Sequence, residues 1–133
     1  MNKVLFVCVE NAGRSIMAEA FFKKYAKNFQ TTSAGTKPAN QINPLVIQVM
    51  KEIGIDVTQK KPQTISDRLI SKSCKIVNMG CMNEDSCPAL FLNDVIDWQI
   101  PDPKGKSIDD IREIRNQIDS KVKELVSHME SEV

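Results

Sequence analysis

Val4 to Val9 form a nearly continuous apolar run bounded by polar residues. That is the pattern of a strand buried on both faces. From Ser15 the period lengthens: Ala18, Phe21, Phe22, Tyr25 and Phe29 recur at helical spacing, with Lys23, Lys24 and Lys27 on the other side. Thr31 to Ala34 reads as a short strand closed by Gly35. Asn43-Pro44 is a helix start, an N-cap followed by proline at the first helical position. Val46, Val49, Met50 and Ile53 supply its apolar stripe, and Gly54 ends it. Cys74 to Met79 is a third strand stopped by Gly80, and Asp94 to Trp98 a fourth. Ser107 and Asp110 can cap a last helix carrying Ile108, Ile111, Ile114, Ile118, Val122, Leu125 and Met129. Strands that alternate with helices predict an α/β fold, a parallel sheet covered by helices on both faces. Ligands in such sheets bind beyond the carboxyl ends of the strands. Cys8, Ser33, Cys81 and Trp98 all fall at or near those ends.

Composition narrows the picture. With 133 residues, 41% hydrophobic and 26% charged, the chain is expected to be one domain over 1–133 with its own core. The net charge of +1 gives no electrostatic reason to expect a nucleic acid or a membrane surface as partner. No apolar run is long enough for a bilayer span, and the first residues turn polar too soon for a secretion signal, so a cytoplasmic location is expected. Thiols stay reduced there, and the four cysteines, Cys8, Cys74, Cys81 and Cys87, call for a chemical explanation rather than structural staples.

Between the first strand and the first helix lies Cys8-Val9-Glu10-Asn11-Ala12-Gly13-Arg14-Ser15. Such a loop can turn the backbone N–H groups of Val9, Glu10, Asn11, Ala12, Gly13, Arg14 and Ser15 inward as a cradle for a tetrahedral oxyanion. The next helix adds its positive end. Arg14 can close the cradle with a fork of donors, and Ser15 can donate to a sulfur at its centre. Cys8 is then expected to be an activated nucleophile beneath a bound anion. A carboxylate beside an anion repels it, so the Glu10 side chain is expected to point to water.

Cys81 and Cys87 are separated by five polar or flexible residues in what reads as a polar loop. Two such thiols can meet if the loop bends, or one can reach Cys8, and a thiolate relay needs both movements. A zinc site is disfavoured, since the single His, His128, falls on the last helix. Cys74, at the start of its strand, is expected to be a small core or edge side chain. In Trp98-Gln99-Ile100-Pro101-Asp102-Pro103, two prolines fix the backbone around Asp102. A rigidly held carboxyl there is a candidate general acid for an oxygen leaving group.

Taken in order, residues 8–21, Ser33-Ala34-Gly35-Thr36, Met79-Gly80-Cys81 with Cys87-Pro88, and Asp97-Trp98 with Pro101-Asp102-Pro103 resemble the thioredoxin-coupled arsenate reductases, relatives of the low-molecular-weight protein tyrosine phosphatases. The resemblance implies a four-stranded parallel sheet in a three-layer, flavodoxin-like architecture. It also implies a mechanism. Cys8 attacks arsenate and Asp102 protonates the departing oxygen. Cys81 attacks the Cys8 sulfur as arsenite leaves. Cys87 then takes over the disulfide, which thioredoxin or a similar dithiol protein reduces. No organic cofactor is implied; in some relatives a potassium ion rests on positions matching Asn11, Glu19 and Ser33. The alternative is a phosphatase acting on phosphotyrosine or another phosphomonoester through a phospho-Cys8 intermediate. Such enzymes usually carry tyrosines after the Asp-Pro, where this chain has Lys104-Gly105-Lys106.

Overall fold

The structure is a computed structural model and describes residues 2–80 and 95–133. In chain order the elements are β1 (Lys3–Cys8), α1 (Arg14–Tyr25), β2 (Gln30–Gly35), α2 (Pro44–Lys51), α3 (Asp67–Ser71), β3 (Lys75–Asn78), β4 (Val95–Asp97) and α4 (Ile108–Ser131). The strands form one four-stranded parallel sheet in the order β2-β1-β3-β4. The first strand is therefore interior, which explains why its sequence is apolar at every step from Val4 to Val7.

Strand pleating sends alternate side chains of β1 to opposite faces. Val4, Phe6 and Cys8 join a large core with α1, α2 and α4, where Phe21, Phe22, Val46, Met50, Ile111, Ile118 and Val122 are fully buried. Leu5 and Val7 join a smaller one with Ala34, Ile76 and Ile70 of α3. Helices thus cover both faces, as expected, but unequally among the described residues. Each buried Leu, Ile or Phe in these layers contributes roughly 2 kcal/mol. Across the large layer, the Phe6 ring meets Phe22 edge-on at 5.8 Å and Trp98 at 6.0 Å.

The caps form where the sequence places them. Asn43 Oδ1 accepts from the Leu45 N–H at 3.0 Å, ahead of Pro44. Ser107 Oγ accepts from the Asp110 N–H at 3.2 Å, and Asp109 and Asp110 lie in the first turn of α4, where carboxylates suit the helix dipole. Phe29 lies beyond the end of α1, which stops at Tyr25. Ile53, expected in the apolar stripe of α2, lies past its end at Lys51 and is exposed. Of the two places expected for Cys74, core or edge, the core is excluded: its side chain is exposed, one residue ahead of β3.

Candidate active site

The loop 9–13 and the N-terminus of α1 lie at the carboxyl end of β1, enclosed by segments far away in sequence. The carbonyls of Val9, Glu10 and Ala12 accept from the N–H groups of Lys37, Ala39 and Asn43 at 2.8–2.9 Å. In a trans peptide the N–H points opposite to the carbonyl, and no peptide here is cis. The N–H groups of Glu10, Asn11 and Gly13 therefore point away from those partners. The strand 30–35 supports this loop at close range. A Cβ on Gly35 would stand 2.5 Å from the Val9 carbonyl oxygen, so the loop can rest there only on a glycine.

Cys8 is 2% exposed at the base of the loop. Its Sγ lies 2.9 Å from Ser15 Oγ. Ser15 Oγ accepts from Asn11 Nδ2 at 2.7 Å, which leaves the serine hydrogen free to serve a Cys8 thiolate, a species that can only accept. Asn11 holds a left-handed backbone, φ 51°, a conformation asparagine tolerates better than most residues. Its Oδ1 accepts from the Gln63 N–H at 3.0 Å, and its Nδ2 also donates to Ser33 Oγ at 3.0 Å. Ser33 in turn donates to Glu19 Oε1 at 2.6 Å.

Arg14 is 3% exposed. Its Nη1 donates to the carbonyls of Met79 and Ile100, both at 3.1 Å, and its Nη2 lies 3.7 Å from Asp102 Oδ2. The guanidinium is thus anchored to the ends of β3 and of the acid loop. Gly80 runs beside it with φ 103°, where a Cβ would meet Arg14 Nη1 at 3.0 Å. Asp102 is half-exposed, and its Oδ1 accepts from the Lys104 N–H at 3.0 Å. A pocket of about 210 Å³ opens above Cys8 and has Asp102, Pro103, Ile42 and Pro44 among its walls. No aromatic ring is among the described residues lining it.

Most of the expected site is thus assembled: Cys8, the loop from Val9 to Gly13, Arg14, Ser15 and Asp102 converge. Cys81 and Cys87 lie outside the described residues. Glu10 points to the surface, as expected, and there finds a partner that the sequence did not show. Its carboxylate accepts from Lys104 Nζ at 2.8 Å across the pocket mouth, and this hydrogen bond, with the charge behind it, holds the lysine above its ordinary pKa. The pairing masks a carboxylate that would otherwise repel an anion.

Asn11, Glu19 and Ser33 do come together, but as a set they do not fit a potassium ion. Glu19 is 3% exposed, and its Oε2 is bound by the Lys60 ammonium, with Lys23 Nζ at 3.4 Å. The other carboxylate oxygen and Asn11 Oδ1 accept from Ser33 and Gln63. A second cation would face an ammonium already in place. Lys60 and Gln63 had no signal in the sequence, because they approach the loop from 41 and 52 residues away along the chain.

Comparison with known proteins settles the family. A family model described as low molecular weight phosphotyrosine protein phosphatase matches residues 3–133. The chain belongs to the low molecular weight phosphotyrosine protein phosphatase family. Within that family it is similar to an arsenate reductase of Halalkalibacterium halodurans, 35% identical over 92% of this chain and 95% of the relative. A glutaredoxin arsenate reductase of Synechocystis is 30% identical over 96% of this chain and 98% of the relative. Among solved structures, a thioredoxin-dependent arsenate reductase of Corynebacterium glutamicum superposes with TM-score 0.84 at 34% identity. That match covers all of this chain, which spans 64% of the longer one. The four-stranded parallel sheet and its helices are those of this family. No helix among the described residues is long and apolar enough to cross a membrane.

Proposed function

We propose that this chain reduces arsenate to arsenite, with Cys8 as nucleophile and Cys81 and Cys87 as the dithiol that carries the oxidising equivalent away. The observation that carries the reading is the placement of Cys8 Sγ, 2.9 Å from the Ser15 hydroxyl, at the base of a pocket that Arg14 and Asp102 also line. The similarity to arsenate reductases over more than nine-tenths of the chain supports the choice of arsenate over other oxyanions.

The residues divide the work. The cradle and Arg14 neutralise a tetrahedral dianion, and because these donors are held before it binds, little reorganisation is needed. Cys8 attacks arsenic, and Asp102 gives its proton to the departing oxygen, which leaves as water. Arsenic is still As(V) at this stage. The Cys81 thiolate then attacks the Cys8 sulfur. An S–S bond forms, the S–As bond breaks, and its electron pair stays on arsenic, giving arsenite. Cys87 attacks Cys81, and Cys8 is freed as a thiolate. Two thiols are oxidised for each arsenic reduced.

A dithiol protein of the thioredoxin type closes the cycle by reducing the Cys81–Cys87 bond. The cytoplasm, where such reductants are kept reduced, is the compartment that suits this cycle. Phosphomonoester hydrolysis draws on the same loop and acid, but among the described residues lining the pocket there is no ring to stack an aryl group. The test is a single incubation of reduced protein with arsenate and no reductant, followed by disulfide mapping. The reading predicts one arsenite per chain and a Cys81–Cys87 link. Release of phosphate from a phosphomonoester at a sustained rate, with no arsenite formed, would replace it with the phosphatase reading.

A further inference from the structure

Behind the catalytic loop runs a chain of hydrogen bonds whose direction is set at one end. A carboxylate can only accept, so the Ser33 hydroxyl, 2.6 Å from Glu19 Oε1, donates to it. Ser33 Oγ must then accept from Asn11 Nδ2 at 3.0 Å. The amide cannot turn round, because its Oδ1 is held by the Gln63 N–H, which can only donate. Its second hydrogen goes to Ser15 Oγ at 2.7 Å, and the Ser15 hydrogen is then the one available to Cys8 as a thiolate, 2.9 Å away. The polarity of the donor at the nucleophile therefore depends on Glu19 remaining a pure acceptor, although that side chain is 3% exposed. An isolated buried carboxylate is costly and takes up a proton unless a counter-charge stands beside it.

We propose that the Lys60 ammonium is the resident cation of the Glu19 pocket and so a positioning residue for Cys8, doing with a covalently attached charge what a bound monovalent ion would otherwise have to do. Three observations support this. Lys60 contacts Glu19 Oε2 directly and is itself about one-third exposed, whereas Lys23 stands further off at 3.4 Å and is mostly solvated. Burial pulls the Lys60 ammonium toward neutrality, but Glu19 more than offsets this and holds it above its ordinary pKa. The segment bearing Lys60 also supplies the Gln63 N–H to Asn11 and the Gln63 side chain to the Ser33 carbonyl at 2.7 Å. One stretch of backbone thus brings both the charge and the lock on the amide. Among the described residues no cluster of three acidic, His or Cys side chains competes for a metal.

The inference deepens the arsenate reductase reading and rests on it for the role of Cys8, but its test does not need arsenate. Wild type and Lys60→Ala are compared in equal concentrations of potassium chloride and tetramethylammonium chloride. The readouts are Tm, sulfate affinity by calorimetry and single-turnover arsenite release. Wild type is expected to give the same Tm and sulfate affinity in both salts. In tetramethylammonium, Lys60→Ala is expected to lose about 5 °C or more and roughly tenfold in arsenite release, as a displaced catalytic group does. Potassium, small enough to enter the gap, is expected to restore much of both; tetramethylammonium is not. Lys60→Met keeps the stem and serves if Lys60→Ala does not fold. A wild-type Tm or sulfate affinity that rises specifically with potassium would overturn the proposal. So would a Lys60 variant equal to wild type, or one whose loss potassium does not relieve, since that is a structural contact only. Failure of the reductase reading shows separately, as wild type that makes no arsenite.

Discussion

Asn11 does more for the site than its neutral side chain suggests. It takes a left-handed backbone, orients Ser15 onto Cys8 and ties the loop to Ser33 and Gln63. Replacing it with alanine removes three hydrogen bonds and leaves at positive φ a residue that tolerates that conformation less well than asparagine. Each bond is worth about 1 kcal/mol net, and the strain roughly another 1–2. Asn11→Ala is expected to lower unfolding stability by about 4 kcal/mol and turnover by about a hundredfold. Asn11→Gly relieves the strain but not the lost amide. It should therefore regain part of the stability in urea titrations and little of the turnover. Equal turnover in Asn11→Gly and wild type would mean that the loop is held by its backbone alone. At this scale the sequence was most informative about Cys8, Arg14, Ser15 and Asp102, because a strand, a turn and a helix N-terminus suffice to place the first three. Glu10 lies at the surface as expected, but its partner, Lys104, 94 residues away, left no signal in the sequence.

At the scale of elements, the tertiary contacts that hold the loop come from connections rather than from the regular structure. Residues 36–43 bind the outward carbonyls of the loop, and residues 60–63 carry its buried counter-charge. Hydrophobic periodicity marks strands and helices but is blind to such connections, so the strands and their caps were legible and the loop's supports were not. A third connection, between α1 and β2, is pinned from α4. Glu130 accepts from the N–H groups of Lys27 and Asn28 and from Asn28 Nδ2, at 2.5–3.0 Å. These bonds hold its carboxyl below the ordinary 4.5. A depressed carboxyl stabilises the fold above its unfolded pKa, and the contribution is lost as pH falls through the folded value. Glu130→Gln should therefore melt below wild type at pH 7, and the two Tm values should converge as pH drops under about 4.5. A deficit that persists unchanged to pH 3 would assign the effect to packing instead.

For the whole molecule, an interior strand delivers a buried thiol to the sheet's carboxyl edge, and α1 starts directly above it. Two connections and the acid loop then close around that edge. The parallel sheet was legible because β1, β2 and β4 are each followed by helical periodicity, and the order β2-β1-β3-β4 puts the most apolar strand inside. The unequal covering of the two faces was not legible, since α3 is short and leaves only a weak pattern. Arg115 of α4 fastens α2 through the Val49 carbonyl at 2.8 Å and Glu52 at 2.9 Å. This keeps the Asn43-Pro44 wall of the pocket in register with the core. The architecture presents one nucleophile to an oxyanion, and the proposed reduction draws its two electrons from the Cys81 and Cys87 thiols. The most direct measurement of that claim is the number of arsenite molecules released per chain by Cys87→Ser in the presence of excess thioredoxin and its reductase. The account predicts one, with Cys8 and Cys81 recovered as a disulfide; sustained release of many would contradict it.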